Sequence, residues 1–155
     1  MGKRKMIVVP TDFSETSARV LSVALDYASL LGGRIVLVHV HDAPAYLGLD
    51  AGAVADVEKG MQQRIERELE EVAEQVRRRG VEVEQVRLYG SSPEAIAEFA
   101  RRAGADLIVM GTHGRGGIKH ALLGSMAEHV IPRSPCPVMV VPPPLPPSPD
   151  GDGAS

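Results

Sequence analysis

The sequence predicts an α/β fold, a parallel β-sheet covered by helices on both faces. Three observations predict it. Short apolar, β-branched runs alternate with longer amphipathic stretches along the chain. Within the long stretches the apolar residues recur at i, i+3 and i+4, the spacing of one helix face. Glycines follow several of these stretches, where helices most readily end.

Taken in order, Met6–Val9 is a short strand that stops at the turn-forming Pro10-Thr11-Asp12-Phe13. Ser14 to Leu31 reads as a helix, with Ala18, Leu21, Ala24, Leu25, Ala28 and Leu31 on one face and Gly32-Gly33 as its stop. Ile35–Val40 is the second strand. His41 to about Leu49, with Pro44 and Gly48, is a loop. From about Val54 to Arg79 a long helix carries the stripe Val57, Met61, Ile65, Leu69, Val72 and Val76, and Gly80 ends it. Val81–Leu88 alternates apolar with charged residues, as a half-exposed strand near a sheet edge does. Ser92 followed by Pro93 reads as an N-cap with proline at N1, opening a helix to about Ala103. Leu107–Met110 is the fourth strand, Gly124 to about Ile131 the fourth helix, and Val138–Val141 the fifth strand. After that the chain runs PPPLPPSPDGDGAS, too poor in apolar residues to order itself, so 143–155 is expected to be a disordered Pro-rich tail.

At 155 residues the chain is expected to form one domain. Hydrophobic residues make up 44% but aromatics only 3%, so the core must be aliphatic. The formal net charge of −3 argues against nonspecific nucleic-acid binding, which uses a strong basic excess. Cys136 is the one cysteine and can form no internal disulfide, consistent with a cytoplasmic location. Lys3, Arg4 and Lys5 precede an apolar run that ends at Pro10, too short for a signal-peptide core. No segment approaches the roughly 18 apolar residues of a membrane span. The expectation is a cytoplasmic domain with neither nucleic acid nor membrane as partner.

The chemistry concentrates in Gly111–Ser125, GTHGRGGIKHALLGS, directly after the fourth strand. Glycines there let backbone amides approach a ligand, and Gly124-Ser125 opens a helix, whose free N–H groups attract anions. Two nucleotide motifs are excluded. Gly111 and Gly116 have P-loop spacing, but Gly117 and Ile118 stand where Lys and Ser/Thr are needed. A Rossmann fingerprint needs glycines after the first strand, where this chain has PTDFSE. His39 and His41, at i and i+2, have no accompanying acidic or cysteine cluster, so no metal site is expected. Cys136 reads as a packing residue, and no catalytic triad can be placed from spacing.

Gly111-x2-Gly114-x9-Gly124-Ser125 fits the pattern G-x2-G-x9-G-[ST], and with it the chain resembles the ATP-binding branch of the universal stress protein family. IVVPTDFSETS, VHV, LIVMGTHGRGG, LLGSMAEHVI and CPVMVV occur in matching order, so the resemblance spans roughly 3–142. It implies an open five-stranded sheet of strand order 3-2-1-4-5. In such a sheet a crevice forms where the order reverses, outside the carboxyl ends of strands one and four.

The resemblance also implies roles. Val40 offers its main chain to adenine while Pro10 and Thr11 wall the pocket. Asp12 serves the ribose, with Asp12-Phe-Ser-Glu15 open to a second reading as a capping box. Gly111 and Gly114 lie against ribose and phosphates, or supply turns with positive φ. Gly124 and Ser125 cup phosphate, although Ser125-Met-Ala-Glu128 is itself a capping-box pattern. Met110, Thr112, His113, Gly116 and Met126 line the same site. Arg115 is the phosphate partner through its planar donor fork, whereas Lys119 and His120 read as solvated surface.

The implied protein is a nucleotide-responsive module holding ATP, with AMP or ADP as alternatives and Mg²⁺ bound through the phosphates. It is a homodimer paired through Val138–Val141, an apolar strand that would otherwise be an exposed edge. Two alternatives stay open. One is slow ATP hydrolysis or phosphoryl transfer, with Asp12 or His113 orienting water. The other is an interaction module whose pocket is empty or takes another small molecule.

Overall fold

The computed structural model describes residues 2–42, 46–112 and 123–144. Among them are five strands, β1 (Met6–Pro10), β2 (Arg34–His41), β3 (Val83–Tyr89), β4 (Leu107–Gly111) and β5 (Val138–Val141). The helices are α1 (Glu15–Leu31), α2 (Ala51–Arg78), α3 (Ser92–Ala103) and α4 (Ser125–Val130), followed by a 3₁₀ turn at Ile131–Arg133. All strand pairs are parallel, and the order across the sheet is β3-β2-β1-β4-β5, as the family resemblance implied.

Two aliphatic layers sandwich the sheet. On one face Ile7, Val9, Ile35, Leu37 and Val109 pack against Val20, Leu21 and Ala24 of α1 and Ile65, Leu69 and Val76 of α2. On the other, Val8, Val36, Val38, Ile108 and Met110 meet Ile96 and Ala100 of α3 and Ala127 and Val130 of α4. Strands buried on both faces need apolar side chains throughout, which is why β1 reads MIVV with no polar alternation. β3 lies at the edge of the sheet and alternates.

Several boundaries differ from the sequence expectation. α2 begins at Ala51 because the Asp50 carboxylate accepts the Ala53 amide at 2.8 Å and caps it, a signal that lies ahead of the apolar stripe. The N-cap of α3 is Ser91 and not Ser92, which places Pro93 in the first turn. α4 starts at Ser125 and gives way to the 3₁₀ turn at Ile131-Pro132, since proline cannot continue the helical hydrogen bonds. Of the expected tail, residues from 145 onward lie outside the described residues. Among the described residues, no helix is long and apolar enough to cross a membrane.

Candidate functional site

β1 and β4 are neighbours, yet α1 leaves β1 toward β2 while the chain beyond β4 continues toward β5. A crevice therefore forms beyond their carboxyl ends. It encloses about 630 Å³, open solvent included. Pro10, Thr11 and Asp12 form one wall, Val38, His39 and Val40 another, and Met110, Gly111 and Met126 the side toward α4. Polar lining comes from the first turn of α1, through Ser14, Thr16 and Ser17, and from Ser92 on α3. Val20 and Ile96 supply apolar surface from opposite faces of the sheet.

The main chain of Val40 faces this space. Arg34 N donates to the Lys5 carbonyl and Thr11 N to the Val38 carbonyl, both at 2.8 Å. In a parallel ladder alternate residues of one strand turn their N–H and C=O to the same neighbour. Arg34, Val36 and Val38 thus face β1, and Val40 faces the same way beyond its end. The ladder stops at Thr11, whose carbonyl lies 2.9 Å from His39 Nδ1.

The wall at Asp12 is tied to α1. Asp12 Oδ1 accepts from Ser14 N at 3.0 Å and from Ser17 Oγ at 2.9 Å. Phe13, between them, has a φ of 62°, and its N–H donates to Thr11 Oγ1 at 3.1 Å. Asp12 is therefore not the first residue of a capping box. Ser14 is the N-cap of α1, and Asp12 closes the turn before it.

The glycine segment enters and leaves the described region through two residues. Thr112 continues β4 by donating to the Val141 carbonyl at 3.2 Å, and its own carbonyl accepts Gly124 N at 2.6 Å. The ends of the segment are thereby joined beside the crevice. Gly111 is the last residue of β4, in register with Val141, and is not a turn residue. Gly124 is the N-cap of α4 at φ −74° and ψ 159°, extended backbone open to any residue. Ser125 is the first helical residue rather than the cap, and no side chain caps the helix. The capping-box reading of Ser125 and Glu128 is corrected accordingly. His113, Gly114, Arg115 and Gly116 lie outside the described residues, as do Lys119 and His120.

Of the described residues expected at the site, Pro10, Thr11, Asp12, Val40, Met110, Gly111 and Met126 line one cavity, whereas Thr112, Gly124 and Ser125 are not among its lining residues. Ser14, Thr16, Ser17 and Ser92 also line it and are signalled by topology alone, because the first turns of α1 and α3 open at the same end of the sheet. His39, which the sequence offers only as half of an excluded metal pair, contacts the Thr11 carbonyl.

Fold and site together define an open-sheet α/β protein with a crevice at its topological switch point. The sequence profile described as the universal stress protein family matches residues 3–142. The chain is 36% identical over 138 residues to universal stress protein MJ0531 of Methanocaldococcus jannaschii, covering 88% of this chain and 81% of that one. The solved structure of hypothetical protein MJ0577 superposes with a TM-score of 0.81 at 30% identity, over 92% of this chain and 98% of that one. A universal stress protein solved in complex with cAMP superposes with a TM-score of 0.68 at 28% identity, covering 88% and 96%. The chain belongs to the universal stress protein family.

Proposed function

We propose that the protein binds an adenine nucleotide, ATP foremost, in the crevice between β1 and β4 and acts as a nucleotide-responsive module. The observation that carries this reading is the crevice itself. Pro10, Thr11 and Asp12 after β1, Val40 of β2 and Met126 of α4 line a single cavity, and the glycine pattern starts at Gly111 in the same lining. That a family member at 28% identity is described in complex with cAMP supports a nucleotide as the ligand.

In this reading the N–H and C=O of Val40 pair with the edge of the base, a polar pair that fixes orientation in a mostly apolar pocket. Asp12 serves the ribose. The amides after Gly124 receive phosphate, because the first amides of any helix have no intrahelical partner. Gly114 and Arg115 contribute backbone and guanidinium from the glycine segment. Mg²⁺ joins through phosphate oxygens and water, with Asp12 the carboxylate in the lining, a donor set that suits an ion reluctant to lose its waters. The engagement of Asp12 with Ser14 and Ser17 favours a binding role for it over the orientation of a hydrolytic water.

Dimerisation through β5 is the second part of the proposal. β5 ends the strand order, so its outer edge has no strand partner within the described residues, and a second copy can pair with it.

Mass analysis of small molecules released on denaturing the freshly purified protein tests the nucleotide reading. ATP, ADP or AMP at a substantial fraction of the protein is expected. No nucleotide, together with no thermal shift on adding Mg-ATP, refutes it.

A further inference from the structure

The wall of the crevice adopts a conformation that its own residues do not favour. Phe13 has a φ of 62°, in the left-handed region that bulky side chains rarely enter and hold only where the surroundings impose it. Its ring stacks on the imidazole of His39, with centroids 4.8 Å apart and planes at 26°. The same imidazole places Nδ1 at 2.9 Å from the Thr11 carbonyl. A carbonyl oxygen only accepts, so Nδ1 carries the proton and donates. One side chain of β2 therefore grips the wall on both sides of Asp12.

The grip has a consequence for Val40. If the ladder between β1 and β2 continued one step, the Thr11 carbonyl would take the Val40 N–H, because Val40 follows Arg34, Val36 and Val38 in facing β1. His39 takes that carbonyl in its place. The last bond of the ladder is Thr11 N to Val38 O.

We infer that His39 is the positioning residue of the proposed nucleotide site: by donating to the Thr11 carbonyl it ends the β1–β2 ladder and leaves the Val40 N–H facing the crevice. It acts through Thr11 and Val40 before any ligand arrives. The inference rests on the nucleotide reading for its purpose, although its structural part can be read without nucleotide.

The test compares wild type with His39→Asn, His39→Gln and His39→Leu. Asparagine can place an amide N–H near the position of Nδ1–H, whereas glutamine places it near Nε2 and leucine has none. Amide hydrogen exchange is measured first on the nucleotide-free protein. In the Gln and Leu variants the Val40 amide is expected to exchange about tenfold more slowly, as it joins the Thr11 carbonyl, while Phe13 and Ser14 exchange about tenfold faster. Amides of Val8, Val36 and Ile108 stay unchanged, and the Asn variant stays within about threefold of wild type. Opposite shifts at Val40 and Phe13 are a signature that general destabilisation does not produce.

Calorimetric titration with ATP follows, with affinity expected to fall about tenfold in Gln and Leu and to be kept within about threefold in Asn. If leucine prevents folding, the Asn–Gln pair decides. Exchange at Val40 and Phe13 that is equal in wild type and the Gln variant overturns the inference, and so does an Asn variant as impaired as the Gln variant. A wild type that binds no ATP refutes the nucleotide reading instead, and the exchange result still decides the role of His39.

Discussion

Asp12 shows how one carboxylate shapes the site. Through Oδ1 it receives the Ser14 amide and the Ser17 hydroxyl, so the wall of the crevice and the first turn of α1 are joined at one atom. Asp12→Ala is expected to lower unfolding stability by about 1 kcal/mol, the worth of a side chain that caps backbone N–H groups. Asp12→Asn, which keeps an oxygen acceptor, retains most of it. Urea denaturation measures both, and an alanine variant as stable as wild type contradicts the tie. The sequence offers Asp12 as the cap through Asp12-Phe-Ser-Glu15, yet the structure gives that place to Ser14. What separates them is the left-handed backbone at Phe13, which no residue pattern announces for a bulky side chain. His39 is hidden for a related reason, since its partner Thr11 lies 28 positions away in the chain and spacing carries no trace of the contact.

Among the elements, the junction of β2 and α2 depends on groups outside the apolar pattern. His41 Nε2 lies 3.7 Å from Glu58 Oε2, the His41 ring meets Tyr89 edge-on, and the Tyr46 hydroxyl donates to Glu58 Oε1. That hydrogen bond, aided by loss of water around the phenol and by the charge of Glu58, pushes the Tyr46 hydroxyl up to about 12. A pKa raised in the folded state means that the neutral phenol is favoured by folding. Its contribution is complete below the ordinary tyrosine value of about 10 and is lost as pH rises through 12. Absorbance titration of phenolate is expected to show one late step near that value, absent from Tyr46→Phe. A late step that survives the substitution contradicts the assignment. Elements themselves were legible wherever burial forces a period: β5 matches the expected Val138–Val141, and β4 gains only Gly111. The ends of helices were less so, because Asp50, Ser91 and Gly124 act as caps from outside the periodic run.

For the whole molecule, strand order decides both proposed surfaces. It opens the crevice between β1 and β4, and it leaves β5 at the margin. Ile108 N donates to Pro137 O and Thr112 N to Val141 O, so the odd-numbered residues of this stretch face β4 and the main chain of Val138 and Val140 faces outward. Val140→Pro removes one outward N–H, a change that an edge strand tolerates. Sedimentation is expected to show a dimeric wild type and a folded, monomeric variant. A variant as dimeric as wild type places the interface elsewhere. The order could be anticipated only through the family's motifs, because alternation alone fixes a parallel sheet and not which strands adjoin. The crevice was half legible: the glycine pattern and the loop after β1 marked it, while Ser17, Ser92 and Ile96 reach it from helices whose sequence reads as ordinary amphipathic surface and core.

The most direct test of nucleotide binding at this crevice is calorimetric titration of ATP with Mg²⁺ into wild type and Gly124→Val. Gly124 has extended backbone that valine also adopts, so the variant is expected to fold with the thermal stability of wild type while its side chain occupies the phosphate approach. Saturable binding by wild type, with affinity at least tenfold weaker in the variant, is the predicted result. Equal affinity in two equally stable proteins, or no binding by either, contradicts the site described between β1 and β4.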